Sequence, residues 1–172
     1  SSDKQTYEVI NPANEEIIGH ASKASSKDVD DALKSAQKGL EVWKNTQPWQ
    51  RSYTLRKIAD KMREKQDVLA KWMTLEVGKP FVEAKGEVGG AADIFEWNAE
   101  ETKRIYGQTV ESRFKDTRVH VYYQPVGVVA ALSPWNFPLV LSSRKISTAL
   151  AAGCSVIIKP DVITPGTVME LV

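Results

Sequence analysis

The chain has 172 residues, of which 42% are apolar and 26% charged, with a formal net charge of +1. That length supports one ordinary domain, or a domain with an appendage, and the near-neutral balance gives no electrostatic case for nucleic acid or an anionic membrane surface. No apolar run approaches a membrane span and the polar opening Ser1 to Val9 has no signal-like core, so the cytoplasm or an organelle matrix is expected; one cysteine, Cys154, and two histidines, His20 and His120, offer neither a disulfide nor a metal-ligand spacing, so no metal is expected.

From Tyr7 to His20 the sequence alternates loosely around Asn11-Pro12, which predicts two short strands and a turn. Ser25-Ser26-Lys27-Asp28 is a helix-start signal, followed by Val29, Ala32, Leu33, Ala36 and Leu40 at helical spacing, with an end near Gly39 to Trp43. After Pro48, helical periodicity from Tyr53 to Leu75 predicts one helix, with its lysines and arginines on a solvated face, and Gly78-Lys79-Pro80 stops it. A longer amphipathic helix is predicted over Phe81 to Tyr106. Gly89-Gly90 in its middle costs roughly 1 kcal/mol per glycine relative to alanine, which suggests close approach by another backbone or a kink. From Gly107 the pattern turns to strand chemistry, an antiparallel hairpin turning near Lys115-Asp116.

Pro125 to Pro165 holds two apolar runs, Val126 to Leu132 and Ser155 to Ile158, joined by an Ala-rich helical segment. This predicts a parallel βαβ unit whose strands are buried on both faces. Ligands of open α/β sheets sit outside the carboxyl ends of the strands, so the candidate positions are Ser133 to Phe137 and Lys159 to Asp161. Two parallel strands make a poor sheet, and a second crossover helix is expected after Thr164-Pro165-Gly166. Further strands are therefore expected beyond these residues, and the chain reads as part of a larger α/β protein. A generic dinucleotide-binding domain is disfavoured, because no GxGxxG follows a strand.

These motifs together resemble the N-terminal portion of an NAD(P)-dependent aldehyde dehydrogenase over essentially the whole chain. The resemblance is carried by Asn11-Pro12, Glu76-Val77-Gly78-Lys79-Pro80, Pro125 to Val129, Pro134 to Pro138 (PWNFP), Ala149 to Cys154 (ALAAGC), Lys159-Pro160 and Thr164-Pro165. Glu96 to Gly107 is most similar to the succinate-semialdehyde dehydrogenase branch. The implied fold is α/β, a partial Rossmann-like cofactor domain with an antiparallel hairpin of the oligomerisation domain. Residues 1–106 would be N-terminal strands and helices of the cofactor domain, 107–124 the hairpin, and 125–172 the start of the parallel core.

The implied reaction is thiolate attack on an aldehyde, hydride transfer to NAD or NADP, and thioester hydrolysis, with a small semialdehyde such as succinate semialdehyde as substrate. Asn136 matches the family's oxyanion-binding asparagine, Lys159 the lysine that binds the adenosine ribose, and Ser133, Pro134 and Trp135 the cofactor cleft. Standing alone, Asn136 reads as a turn former, Lys159 as a solvated strand end and Trp135 as packing. Val162 stands where many NAD-preferring members carry a glutamate that repels a 2′-phosphate, which removes one obstacle to NADP. Cys154 matches a structural turn, and the family's nucleophile, general base and pyrophosphate loop match none of these residues, so the chain alone is expected to be inactive. Arg144 and Lys145 could meet a substrate carboxylate or form a polar helix face. A homo-oligomer through the 107–124 hairpin is implied, and the alternative to an enzyme is a non-catalytic interaction module that pairs by strand addition.

Overall fold

Helices enclose the main apolar core, and the strands lie at its margins. A computed structural model describes residues 1–172 in the order β1 (Thr6–Ile10), β2 (Ile17–Ser22), α1 (Ser26–Trp43), α2 (Pro48–Glu64), α3 (Gln66–Val77), α4 (Phe81–Glu101), β3 (Gln108–Glu111), β4 (Arg118–Val121), β5 (Val128–Leu132), α5 (Pro138–Ala151), β6 (Ser155–Lys159) and α6 (Pro165–Leu171). The strands form three two-stranded sheets, β1-β2 and β3-β4 antiparallel and β5-β6 parallel.

The first hairpin turns where the sequence predicts. Asn11 Oδ1 accepts the Ala13 N–H at 2.9 Å, and Glu15 takes the left-handed region at φ 61. The start of α1 is a capping box: Ser25 Oγ accepts the Asp28 N–H at 3.3 Å, and the Asp28 carboxylate accepts the Ser25 N–H at 2.8 Å.

The single helix expected from Tyr53 to Leu75 is two helices, broken at Lys65, whose φ of −95 and ψ of 16 leave the helical region. Periodicity is blind to this break. Met62 and Leu69 are both buried, and their spacing of seven keeps the apolar stripe in phase across the corner. The helix expected over Phe81 to Tyr106 ends at Glu101 and runs into a 3-10 turn, Thr102–Arg104. There the buried Thr102 hydroxyl donates to the Ala151 carbonyl and ties the end of α4 to the end of α5. Gly89 and Gly90 mark neither a close approach nor an interruption, since α4 runs through both and an added Cβ would meet no atom within 4 Å.

Fifteen buried residues form the core, from Leu55, Ala59 and Met62 of α2 through Leu69 and Met73 of α3 and Val88 and Phe95 of α4 to Leu139 and Ile146 of α5. The parallel pair borders this cluster. Only Ala131 of β5 and Ser155 of β6 are buried, and their other eight residues are half-buried or exposed, against the expectation of strands covered on both faces. The reason is geometric. Each strand has one hydrogen-bonded neighbour, so much of the surface that a wider sheet and its flanking helices would cover stays open. Every residue of β3 and β4 is exposed. At its base Gly107 is required, because a Cβ there would collide with the Val121 carbonyl oxygen.

Candidate functional site

The parallel register brings the two candidate strand ends to one edge. Leu132 stands opposite Lys159, and the Ser133 N–H donates to the Lys159 carbonyl at 3.2 Å. Ser133 is buried and its hydroxyl has no partner, which makes it a donor aimed at nothing within the chain. Lys159 is exposed and its ammonium donates to the Pro160 carbonyl at 3.0 Å, leaving donor capacity for a ligand. Asp161 turns its carboxylate to the Ile163 N–H at 3.1 Å, and Val162 is exposed. An exposed ammonium with donor capacity to spare at the carboxyl edge of a parallel pair fits a polyhydroxylated ligand such as a nucleoside ribose, with no acid at position 162 to repel a phosphate.

Pro134, Trp135, Asn136 and Phe137 form the exposed loop that leads from β5 into α5. This helix opens at Pro138 with Phe137 as its unhelpful N-cap, and no side chain of its own satisfies the first N–H groups. A residue of α4 does so. Glu87 Oε1 accepts the Leu139 and Val140 N–H groups at 3.0 and 3.2 Å. The same carboxylate is ion-paired with Lys79, and the Lys79 ammonium also reaches the Asn136 carbonyl at 3.4 Å and lies 4.1 Å from the centre of the Phe137 ring. The loop is thus held by its backbone, and the Asn136 amide is left facing outward.

The start of α6 repeats the device. Thr164 makes no side-chain cap, and Glu76 of α3 accepts the Gly166 N–H at 2.6 Å, the Thr167 N–H at 2.9 Å and the Thr167 hydroxyl at 2.6 Å. Burial pushes the Glu76 carboxyl above its ordinary value, against these three donors, which pull it down. Gly166 is needed here, since a Cβ would strike Glu76 and the Trp72 ring.

Sequence reasoning missed Glu76, Glu87 and Lys79 as working residues. The signal was present: Glu87 lies among Ala84, Val88 and Ala91, and Glu76 follows Leu69 and Met73, so each carboxylate occupies an apolar helix face where a charge is out of place. Cys154 is buried at the entry to β6, with its N–H bonded to the Ala149 carbonyl at 2.9 Å after the left-handed Gly153. Arg144 is exposed, and Lys145 folds its ammonium back to the Leu141 carbonyl of its own helix at 3.4 Å.

Residues 1–172 match the aldehyde dehydrogenase family. A glutarate-semialdehyde dehydrogenase of Pseudomonas putida is 46% identical over 98% of this chain and 35% of its own length. The succinate-semialdehyde dehydrogenase, NADP(+), of Escherichia coli is 43% identical over 97% of the chain and 35% of its own length. Among solved structures, an aldehyde dehydrogenase of Brucella melitensis biovar abortus superposes with a TM-score of 0.98 at 42% identity, covering 99% of this chain and 35% of that one. A betaine aldehyde dehydrogenase of Staphylococcus aureus in complex with NAD+ superposes with a TM-score of 0.96 at 35% identity, over 99% of this chain and 34% of that one. The chain belongs to the aldehyde dehydrogenase family, and it spans about a third of the length of these relatives.

Proposed function

We propose that the protein carrying these residues oxidises a small semialdehyde, such as succinate or glutarate semialdehyde, to the carboxylic acid with NAD or NADP. The observation that supports this most is the shared edge, where Ser133 N–H meets the Lys159 carbonyl and the PWNFP loop leaves from the same strand ends as the exposed Lys159 ammonium. Asn136 is the oxyanion donor: its outward amide would give a hydrogen bond to the aldehyde oxygen as that oxygen gains negative charge. Lys159 would hold the ribose of the dinucleotide, with Ser133, Pro134 and Trp135 lining the cleft. When bound, that cofactor supplies the hydride acceptor.

In the full-length protein, Asn136→Ala should lower kcat by about 10² to 10³-fold with little change in the KM for NAD(P), and an unchanged kcat would overturn the assignment. Because Val162 places no charge near the ribose, NADP should be accepted; an affinity for NADP more than about a hundredfold below that for NAD refutes this. The 172-residue chain alone should turn over no aldehyde, since the thiolate and base are expected in other parts of the protein. Activity of the isolated chain that is lost on alkylating Cys154 would reverse that reading.

The exposed β3-β4 hairpin supports association with further copies through residues 107–124. A stand-alone interaction module, the second reading, would give a folded, defined oligomer of this chain by sizing and thermal melting, whereas a part of an enzyme would give a molten or aggregating species. No helix of the chain is long and apolar enough to cross a membrane. The cytoplasm or an organelle matrix is the compartment that fits the proposed chemistry, and the Arabidopsis succinate-semialdehyde dehydrogenase, 41% identical, is described as mitochondrial.

A further inference from the structure

Lys79 occupies a corner whose two sides are both fixed. Gly78 ends α3 in the left-handed region at φ 74, where glycine has no Cβ to clash, and Pro80 sets the entry to α4. The Lys79 side chain is 11% exposed, and that of its ion-pair partner Glu87 is 3% exposed. Charges this far from water persist only where their remaining donors and acceptors are used. Here those groups all converge on one stretch of backbone: Glu87 on the Leu139 and Val140 N–H groups, Lys79 on the Asn136 carbonyl and the Phe137 ring. None of these contacts involves the Asn136 amide, and the residue is exposed, so its own packing does not aim it.

We infer that Lys79 and Glu87 are positioning residues, a buried ion pair that clamps the backbone from the Asn136 carbonyl to the first turn of α5 and so fixes the direction of the Asn136 amide. The inference rests on Asn136 as the oxyanion donor. Such a donor works by being aimed before charge develops, and a displacement of about 1 Å caused away from the reacting atoms can cost about a hundredfold in rate. The pair reaches the donor through the main chain and the neighbouring Phe137 ring and makes no hydrogen bond to the Asn136 amide, which separates its role from that of a group touching substrate.

Kinetics of the full-length protein test this. Lys79→Met should lower kcat by about 10- to 100-fold while the KM for NAD(P) stays within about twofold, and Lys79→Arg should recover part of the loss. In an Asn136→Ala background, Lys79→Met should lower kcat no further, because the group it aims is gone. Equal losses in the two backgrounds overturn the inference and leave Lys79 a residue of stability only. Glu87→Gln keeps an acceptor for the α5 amides and removes the charge; it should show the same non-additivity, and serves where Lys79→Met does not fold. An Asn136→Ala variant with unchanged kcat overturns the oxyanion assignment and not the clamp, which amide hydrogen exchange then decides. Exchange at Leu139 and Val140 should rise about tenfold in either clamp variant, and unchanged exchange overturns the clamp as well.

Discussion

Two helix starts in this molecule solve the same problem in opposite ways. At α1, Ser25 and Asp28 cap each other within four residues, on a helix with no fully buried residue. At α5, nothing local caps the helix, and the carboxylate comes from Glu87, which also carries a buried ion pair. A local cap is a property of a tetrapeptide and survives whatever the rest of the fold does. A remote cap exists only once α4 has packed on α5, so it ties the geometry of the Asn136 loop to the integrity of the helical core.

The contrast can be broken at its strongest point first. Glu87→Ala leaves Lys79 buried without its partner and two N–H groups unsatisfied, and should destabilise the fold by about 3 to 5 kcal/mol in chemical denaturation. A loss below about 1 kcal/mol would mean that the pair contributes little to holding α5. Glu76→Gln, at the remote cap of α6, removes one of two accepting oxygens and should cost about 1 to 3 kcal/mol.

Glu76 and Asp28 also differ in the sign of their pH dependence. Burial raises the Glu76 carboxyl above its ordinary value of 4.5, so its favourable term is full below about that pH and fades as pH rises through the raised native value. Stability relative to Glu76→Gln should therefore decline with rising pH on the acid side of neutrality. Asp28 is held well below its ordinary value of 3.8, chiefly by the Ser25 backbone N–H, so its term is present above about that pH and is lost as pH falls. Stability relative to Asp28→Asn should then decline in the other direction, and parallel slopes for the two variants would break the distinction.

Smaller effects sharpen it further. Ser25→Ala removes the local cap and should cost about 1 kcal/mol, with no change in hydrogen exchange at the start of α5. Gly89→Ala should stabilise the fold by about 0.5 to 1 kcal/mol, because the added methyl group meets nothing and the unfolded chain loses freedom. Destabilisation by that substitution would show that α4 is packed against something at Gly89.

The same division explains what the sequence could tell. The Asn11-Pro12 turn, the Ser25 capping box and the Asp116 hairpin turn, at φ 59, are each written in a few adjacent residues, and all three stand where expected. The register that sets Leu132 opposite Lys159 follows from two apolar runs ending at comparable points, so the site edge was legible too. The corner at Lys65 was not, since the apolar stripe passes through it in phase. The clamp was least legible: Lys79, Glu87 and Asn136 are joined only by tertiary packing, and no local pattern encodes a partner 52 residues away.

Cys154 has a practical use that follows from its burial. It is the one thiol among these 172 residues, and it lies beneath the turn that enters β6. A thiol in that setting reacts with an alkylating reagent only when the turn opens. In this chain the labelling rate is therefore a clock for the opening of that turn. Timed against exchange at Leu139, it would show whether the entry to β6 and the Asn136 loop come apart together or one after the other.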